Sequence, residues 1–140
     1  MVLDTSAIIA ILRNEPDAAV YREAIARAET LSIGAPTLLE CELVVRQALG
    51  DSGSTDLDNF ILSLNVHVEP FGEVEADFAR YAYRQFGKGR HPAGLNFGDC
   101  LTFGTAVARN EPLLFKGDDF AQTNIADARA YYADEKPLHP

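Results

Sequence analysis

Five carboxylates stand on or beside apolar sequence in this chain: Asp4, Glu40, Asp99, Asp118 and Asp119. Asp4 follows Val2 and Leu3 at the end of a short apolar run, where capping of a strand-to-helix turn would account for it taken singly. Glu40 and Glu42 share a helical stretch but not a face. Glu42 has Arg46 at i+4, a favourable solvated pair. Glu40 shares its face with Leu43, Val44 and Gln47 and has no basic residue at i+3 or i+4. An ionised carboxylate on such a stripe is costly unless it reaches water, is paired or binds a metal. Asp99 stands three residues after Asn96, the spacing of a capping box, and its charge suits the positive end of a helix dipole. Thr102, Phe103 and Ala106 share its face, so it also points along an inward stripe. Asp118 and Asp119 lie in "FKGDDF", ordinary turn chemistry, with Lys116 placed to neutralise one of them.

Each acid alone has a bland explanation; together they suggest a site. Carboxylates brought within a few ångström of one another repel strongly unless protonated or bridged by a cation. An all-oxygen donor set suits Mg²⁺ or Mn²⁺ rather than zinc. Such an ion keeps several waters and can activate one against a phosphodiester, leaving a 3′-hydroxyl and a 5′-phosphate. The formal net charge of −9 argues against broad, non-specific nucleic-acid binding. Its distribution is uneven. Residues 78–98 contain no acid but carry Arg80, Arg84, Lys88, Arg90 and His91. That segment is either a solvated helix face running into a loop or a holder for a phosphate backbone. Histidine is the usual proton carrier of neutral pH, but beside Lys88 and Arg90 His91 reads as a phosphate contact before a proton carrier.

The elements that must position these residues alternate. Short apolar runs at residues 1–5, 31–34, 66–70 and 112–115 read as strands. Helical patterns fall between them. Ser6 is expected to cap a helix over 7–13, and others cover 18–28 and 36–49. "DSGST" is expected as a loop whose Ser54 or Thr55 caps a helix to 64. The last two helices cover 73–86 and 97–109, with Asn96 capping the second and a Gly- and Pro-containing loop between them. This order predicts an α/β sandwich with a mainly parallel central sheet. Ligands of such sheets bind outside the carboxyl ends of the strands. The first strand ends "LDTS" and the last "LFKGDD", and both deliver aspartates.

With 140 residues, 47% apolar and 24% charged, a single soluble domain over 1–140 is expected, with a weakly patterned tail from 126. No apolar run approaches the ~20 residues of a membrane span. The opening "MVLDTSAII" has no basic n-region or cleavage site, which predicts a cytoplasmic protein with no membrane partner. Cys41 and Cys100 show no metal-knuckle spacing and read as reduced core thiols.

"MVLDTSAIIAIL", "APTLLE", "FGKGRHPAGLNFGDC" and "LLFKGDDFAQT", in that order, resemble the PIN domain, and within it the VapC toxins of type II toxin–antitoxin systems. The resemblance runs from residue 1 to about 125, and its later two motifs are the specific ones. It implies a PIN-like three-layer α/β/α sandwich and a metal-dependent endoribonuclease acting on structured RNA, often transfer RNA. It implies a homodimer and a cognate VapB-type antitoxin that obstructs the site. Mapped residue by residue, the acids are Asp4, Glu40 and Asp99, with Asp4 and Asp99 the main ligands of Mg²⁺ or Mn²⁺. The last acid of relatives shifts by one position relative to the following Phe. Asp118 and Asp119 therefore both fit, with Asp118 favoured. Thr5 and Ser6 fill the hydroxyl positions beside the metal site. Arg84, Lys88, Arg90, His91 and Lys116 are the expected RNA contacts.

Two other classes fit parts of the pattern. A receiver-like phosphoacceptor domain also has aspartates at strand ends and a lysine after the last strand, but "LSIG" and "VHVE" do not supply the middle-strand aspartate it needs. A non-catalytic module could use the acidic pocket for a basic peptide.

Overall fold

A computed structural model describes residues 1–131. Strands β1 (Val2–Leu3), β2 (Ser32–Gly34), β3 (His67–Glu69) and β4 (Leu113–Leu114) form one sheet in the order β3-β2-β1-β4. Every pairing is parallel, with Val2 opposite Ser32 and Leu113, and Ile33 opposite Val68. Helices α1 (Thr5–Leu12), α2 (Ala18–Arg27), α3 (Ala35–Leu49), α4 (Asp51–Ser63), α5 (Glu73–Phe86), α6 (Phe97–Arg109) and α7 (Ala128–Tyr131) complete it.

The sheet separates two cores, and the period of two along a strand sorts its side chains between them. Leu3, Ile33 and Leu114 face the cluster built by α1, α2, α3 and α4. Val2 and Leu113 face the cluster of α5, α6 and Phe115. Helix α6 packs hard on α5. A β-carbon on Gly104 would run into the Glu75 carbonyl and Ala79, so glycine permits the close approach.

Three local expectations are corrected. Helix α1 begins at Thr5, two residues early, so Asp4 rather than Ser6 is its N-cap. "DSGST" is not a loop but the first turns of α4, and neither Ser54 nor Thr55 caps it. Gly50, at φ 72°, makes the break between α3 and α4 by itself. Gly53 then lets α4 lie directly on Val45. The expected Glu42–Arg46 pair also gives way. Arg46 turns to Asp51 at 2.6 Å, and Glu42 accepts from the Ser54 hydroxyl at 2.9 Å. The weakly patterned tail is helical over Ala128–Tyr131, with Ala128 buried. Its remainder lies outside the described residues.

Candidate active site

Three elements bring acids to the carboxyl edge of the sheet: the end of β1, the flank of α3 and the first turn of α6. Asp4 is buried at the start of α1. Its Oδ2 accepts from the Ser6 N–H at 3.0 Å and from the Ser6 hydroxyl. Burial pushes its carboxyl up, and hydrogen bonds from Ser6, the Thr102 hydroxyl and the Thr5 N–H offset part of that. Glu40 is half-buried. The Thr5 hydroxyl donates to its Oε1 at 2.9 Å. Burial again raises the carboxyl; Thr5 opposes this and the charge of Asp4 adds to it.

Asp99 forms the capping box its spacing predicted. The Asn96 N–H donates to Asp99 Oδ2 at 3.1 Å, and the Asp99 N–H donates to Asn96 Oδ1 at 2.9 Å. Its carboxyl is nevertheless pushed up to about 6, first by burial, then against the Asn96 hydrogen bond by the charges of Asp4, Asp119 and Glu40. Capping and clustering are therefore both properties of this one side chain.

The loop after β4 is tied to the same place. Ser6 Oγ accepts from the Lys116 N–H at 2.9 Å while donating to Asp4. Asp118 and Asp119 are both exposed on this loop. Asp119 lies near enough to raise Asp99, and Asp118 is not among the groups that do so.

The expected RNA contacts divide. Lys116, expected to neutralise Asp118 or Asp119, pairs through its ammonium with Glu15 at 3.1 Å and Asp17 at 2.9 Å instead. Arg84 and Lys88 line a groove of about 720 Å³ between α5 and the start of α6, with Arg80, Asn96 and Phe97. That groove begins three residues from Asp99. Arg90 is exposed, and its guanidinium lies 5.2 Å over the Tyr83 ring. His91 is braced inside its loop: its Nδ1 accepts from the Ala93 N–H at 3.0 Å, and its ring meets Phe86 edge-on at 5.2 Å.

Sequence reasoning missed Thr102, whose hydroxyl reaches both Asp4 and Thr37. A threonine at i+3 from Asp99 on a buried face was the available signal. It also missed the contact of Glu40 with Gly98, where a β-carbon would overlap the carboxylate. Cys41 and Cys100 are buried free thiols, raised by burial to about 12 and about 11. Such thiols are inert.

The donor set suits a hard divalent cation, since every candidate ligand atom is oxygen. Thr5 engages one oxygen of Glu40 and Asn96 one of Asp99. The other oxygen of Glu40, Oε2, lies against Gly98. Among the described residues no three acidic, His or Cys side chains converge on a single point. Ser6 fixes Asp4, Thr5 fixes Glu40 and Asn96 fixes Asp99, and a cation would offset the mutual repulsion of neighbouring carboxylates.

Comparison with known proteins identifies the family. The PIN domain family model matches residues 1–126. Ribonuclease VapC28 of Mycobacterium tuberculosis is 49% identical over 129 residues, which cover 91% of this chain and 97% of that protein. Ribonuclease VapC30 of the same species is 43% identical over 126 residues, covering 90% and 96%. Among solved structures, M. tuberculosis VapC20, described as a sarcin–ricin loop cleaving toxin, superposes with a TM-score of 0.72 at 16% identity, covering 90% of this chain and 96% of that one. Family model, relatives and fold agree, and the chain belongs to the PIN-domain family, among the VapC ribonucleases.

Proposed function

We propose that this protein is the toxin of a type II toxin–antitoxin pair, a Mg²⁺- or Mn²⁺-dependent endoribonuclease that hydrolyses structured RNA. The observation that carries the reading is that Thr5, next to Asp4, holds Glu40, and that Glu40 lies against Gly98, next to Asp99, so the three acids share one sheet edge. Asp4 and Asp99 are the main ligands, with Glu40 and Asp119 completing the acidic pocket and Asp118 left in the turn. A divalent cation bound there supplies charge neutralisation and an activated water. The protein's own groups prepare the site. Ser6 and Asn96 aim Asp4 and Asp99, Thr5 holds Glu40, and Arg84 and Lys88 hold the phosphate backbone from the neighbouring groove. Arg90 and His91 extend that contact along their loop. VapC relatives imply a VapB-type antitoxin, and an arginine from such a partner fits the same carboxylates.

A second copy of the chain is the proposed partner for the surface beside the site. Leu39 and Leu43 on α3 are 63% and 62% exposed, and Phe97 at the start of α6 is 82% exposed. Leu39 and Phe97 are the chain neighbours of Glu40 and Gly98, which touch. Burying such a patch against its own copy removes it from water.

Cleavage of a structured RNA with Mg²⁺, Mn²⁺ or EDTA tests the reading. Products with 5′-phosphates are expected, and Asp99→Asn should abolish them while keeping the fold. Full activity in EDTA, 2′,3′-cyclic phosphate ends or an active Asp99→Asn enzyme would overturn it. The receiver-like alternative has no support here: β2 ends in Gly34, β3 ends in Glu69, which pairs with Arg109, and Lys116 is ion-paired elsewhere.

A further inference from the structure

Helix α6 contains two glycines, Gly98 and Gly104, where glycine is intrinsically less favourable than alanine. Neither sits in the left-handed region, so backbone conformation requires neither. Gly104 is explained by the backbone of α5 pressing on it. Gly98 is different. The three nearest atoms that a β-carbon there would meet are Oε2, Cδ and Oε1 of Glu40, the first two in hard overlap. No backbone of another element is among them. The space beside Gly98 is filled by a carboxylate, and by one that the Thr5 hydroxyl grips from its other oxygen at 2.9 Å.

We infer that Gly98 is a positioning residue for the acidic site: the missing side chain lets Glu40 stand against the first turn of α6, next to Asp99. The inference rests on the active-site reading above. Glu40 has flexible torsions, so a methyl group at position 98 would not break the fold. It would swing the carboxylate off Thr5 and away from Asp99. Helix propensity and site geometry then pull in opposite directions at this position, and that separates a positioning role from a structural one.

The test is a double-mutant cycle on the full chain: Gly98→Ala, Glu40→Ala and both together. It is read by Mn²⁺ titration calorimetry and by thermal melting in EDTA. Gly98→Ala should melt at or above the wild-type temperature yet bind Mn²⁺ about tenfold or more weakly. Glu40→Ala should weaken Mn²⁺ similarly, and the double variant should be no weaker than Glu40→Ala alone. Should the clash prevent Gly98→Ala from folding, the double variant is expected to fold. Wild-type Mn²⁺ affinity in Gly98→Ala beside a weakened Glu40→Ala would overturn the inference and leave the site assignment standing. So would additive losses, or a double variant that stays unfolded. Unchanged affinity in Glu40→Ala would instead remove Glu40 from the site, and the inference with it.

Discussion

At the residue scale, the consequential quantity is the raised carboxyl of Asp99, at about 6 against an ordinary 3.8. The folded chain holds that proton more tightly than the unfolded chain between these values. Metal-free stability therefore falls as pH rises from about 4 to about 6, because the unfolded state has already released its proton. A cation needs the ionised form, so Mn²⁺ affinity should rise through the upper part of that window and level off above it. Melting in EDTA and calorimetry across the window measure both trends, and Asp99→Asn should weaken them, leaving the part that the raised carboxyls of Asp4 and Glu40 contribute. A pH-independent affinity between about 5 and 7 would mean that Asp99 is not a ligand. The adjacent acids give a second test at this scale. Asp119→Asn should lower cleavage by about tenfold or more, while Asp118→Asn should stay within about twofold. The reverse order would restore the assignment drawn from the sequence.

At the element scale, Ser6 and Lys116 join the first turn of α1 to the loop after β4. Ser6 does so through the Lys116 backbone, and Lys116 through ion pairs to Glu15 and Asp17. These pairs remain partly open to water, so Lys116→Met should move the denaturant midpoint little. It should leave RNA affinity unchanged, because the ammonium is already committed. Arg84→Met should instead weaken RNA binding and reduce the salt dependence of log K by about one. Filter binding over a salt series separates the two. Equal losses would return Lys116 to the RNA surface. The helix that carries Asp99 shows how local and distant demands combine. Asn96 and Asp99 satisfy the first turn's N–H groups, and the same carboxylate faces three other acids. The N-terminal dipole of α6 favours its ionised form.

At the scale of the whole molecule, parallel strands point their carboxyl ends the same way. Residues far apart in sequence, on β1 and beyond β4, therefore reach one edge. The exposed apolar surface flanks that edge, which sets two acidic sites near each other in the proposed homodimer. Analytical ultracentrifugation should find a wild-type dimer, and Leu43→Asp with Phe97→Asp should shift it to monomer without loss of helical circular dichroism. A monomeric wild-type chain would remove the dimer and assign the patch to the antitoxin.

Much of this protein is legible without coordinates, because short-range physics controls it. The alternation of apolar runs and the Asn96–Asp99 spacing specified an α/β sandwich and a capped α6, whereas the stripe expected around Glu40 is not a buried one: Leu43 and Gln47 are exposed, and α3 buries Thr37, Cys41 and Val45 instead. The motifs at residues 86–100 and 113–123 carried the family. Tertiary structure decided the rest. Lys116 and Ser6 meet across 110 positions, and Lys116 finds Glu15 and Asp17 about as far away. No local pattern encodes such a meeting. Two neighbouring aspartates are equivalent in a turn-forming sequence, and the proposal for Asp119 rests on the path of the loop beside Asp99. Gly98 looks like a weak point in a helix until α3 is packed against it. Its reason is then the carboxylate of a residue more than fifty positions away, which occupies the place of the absent side chain.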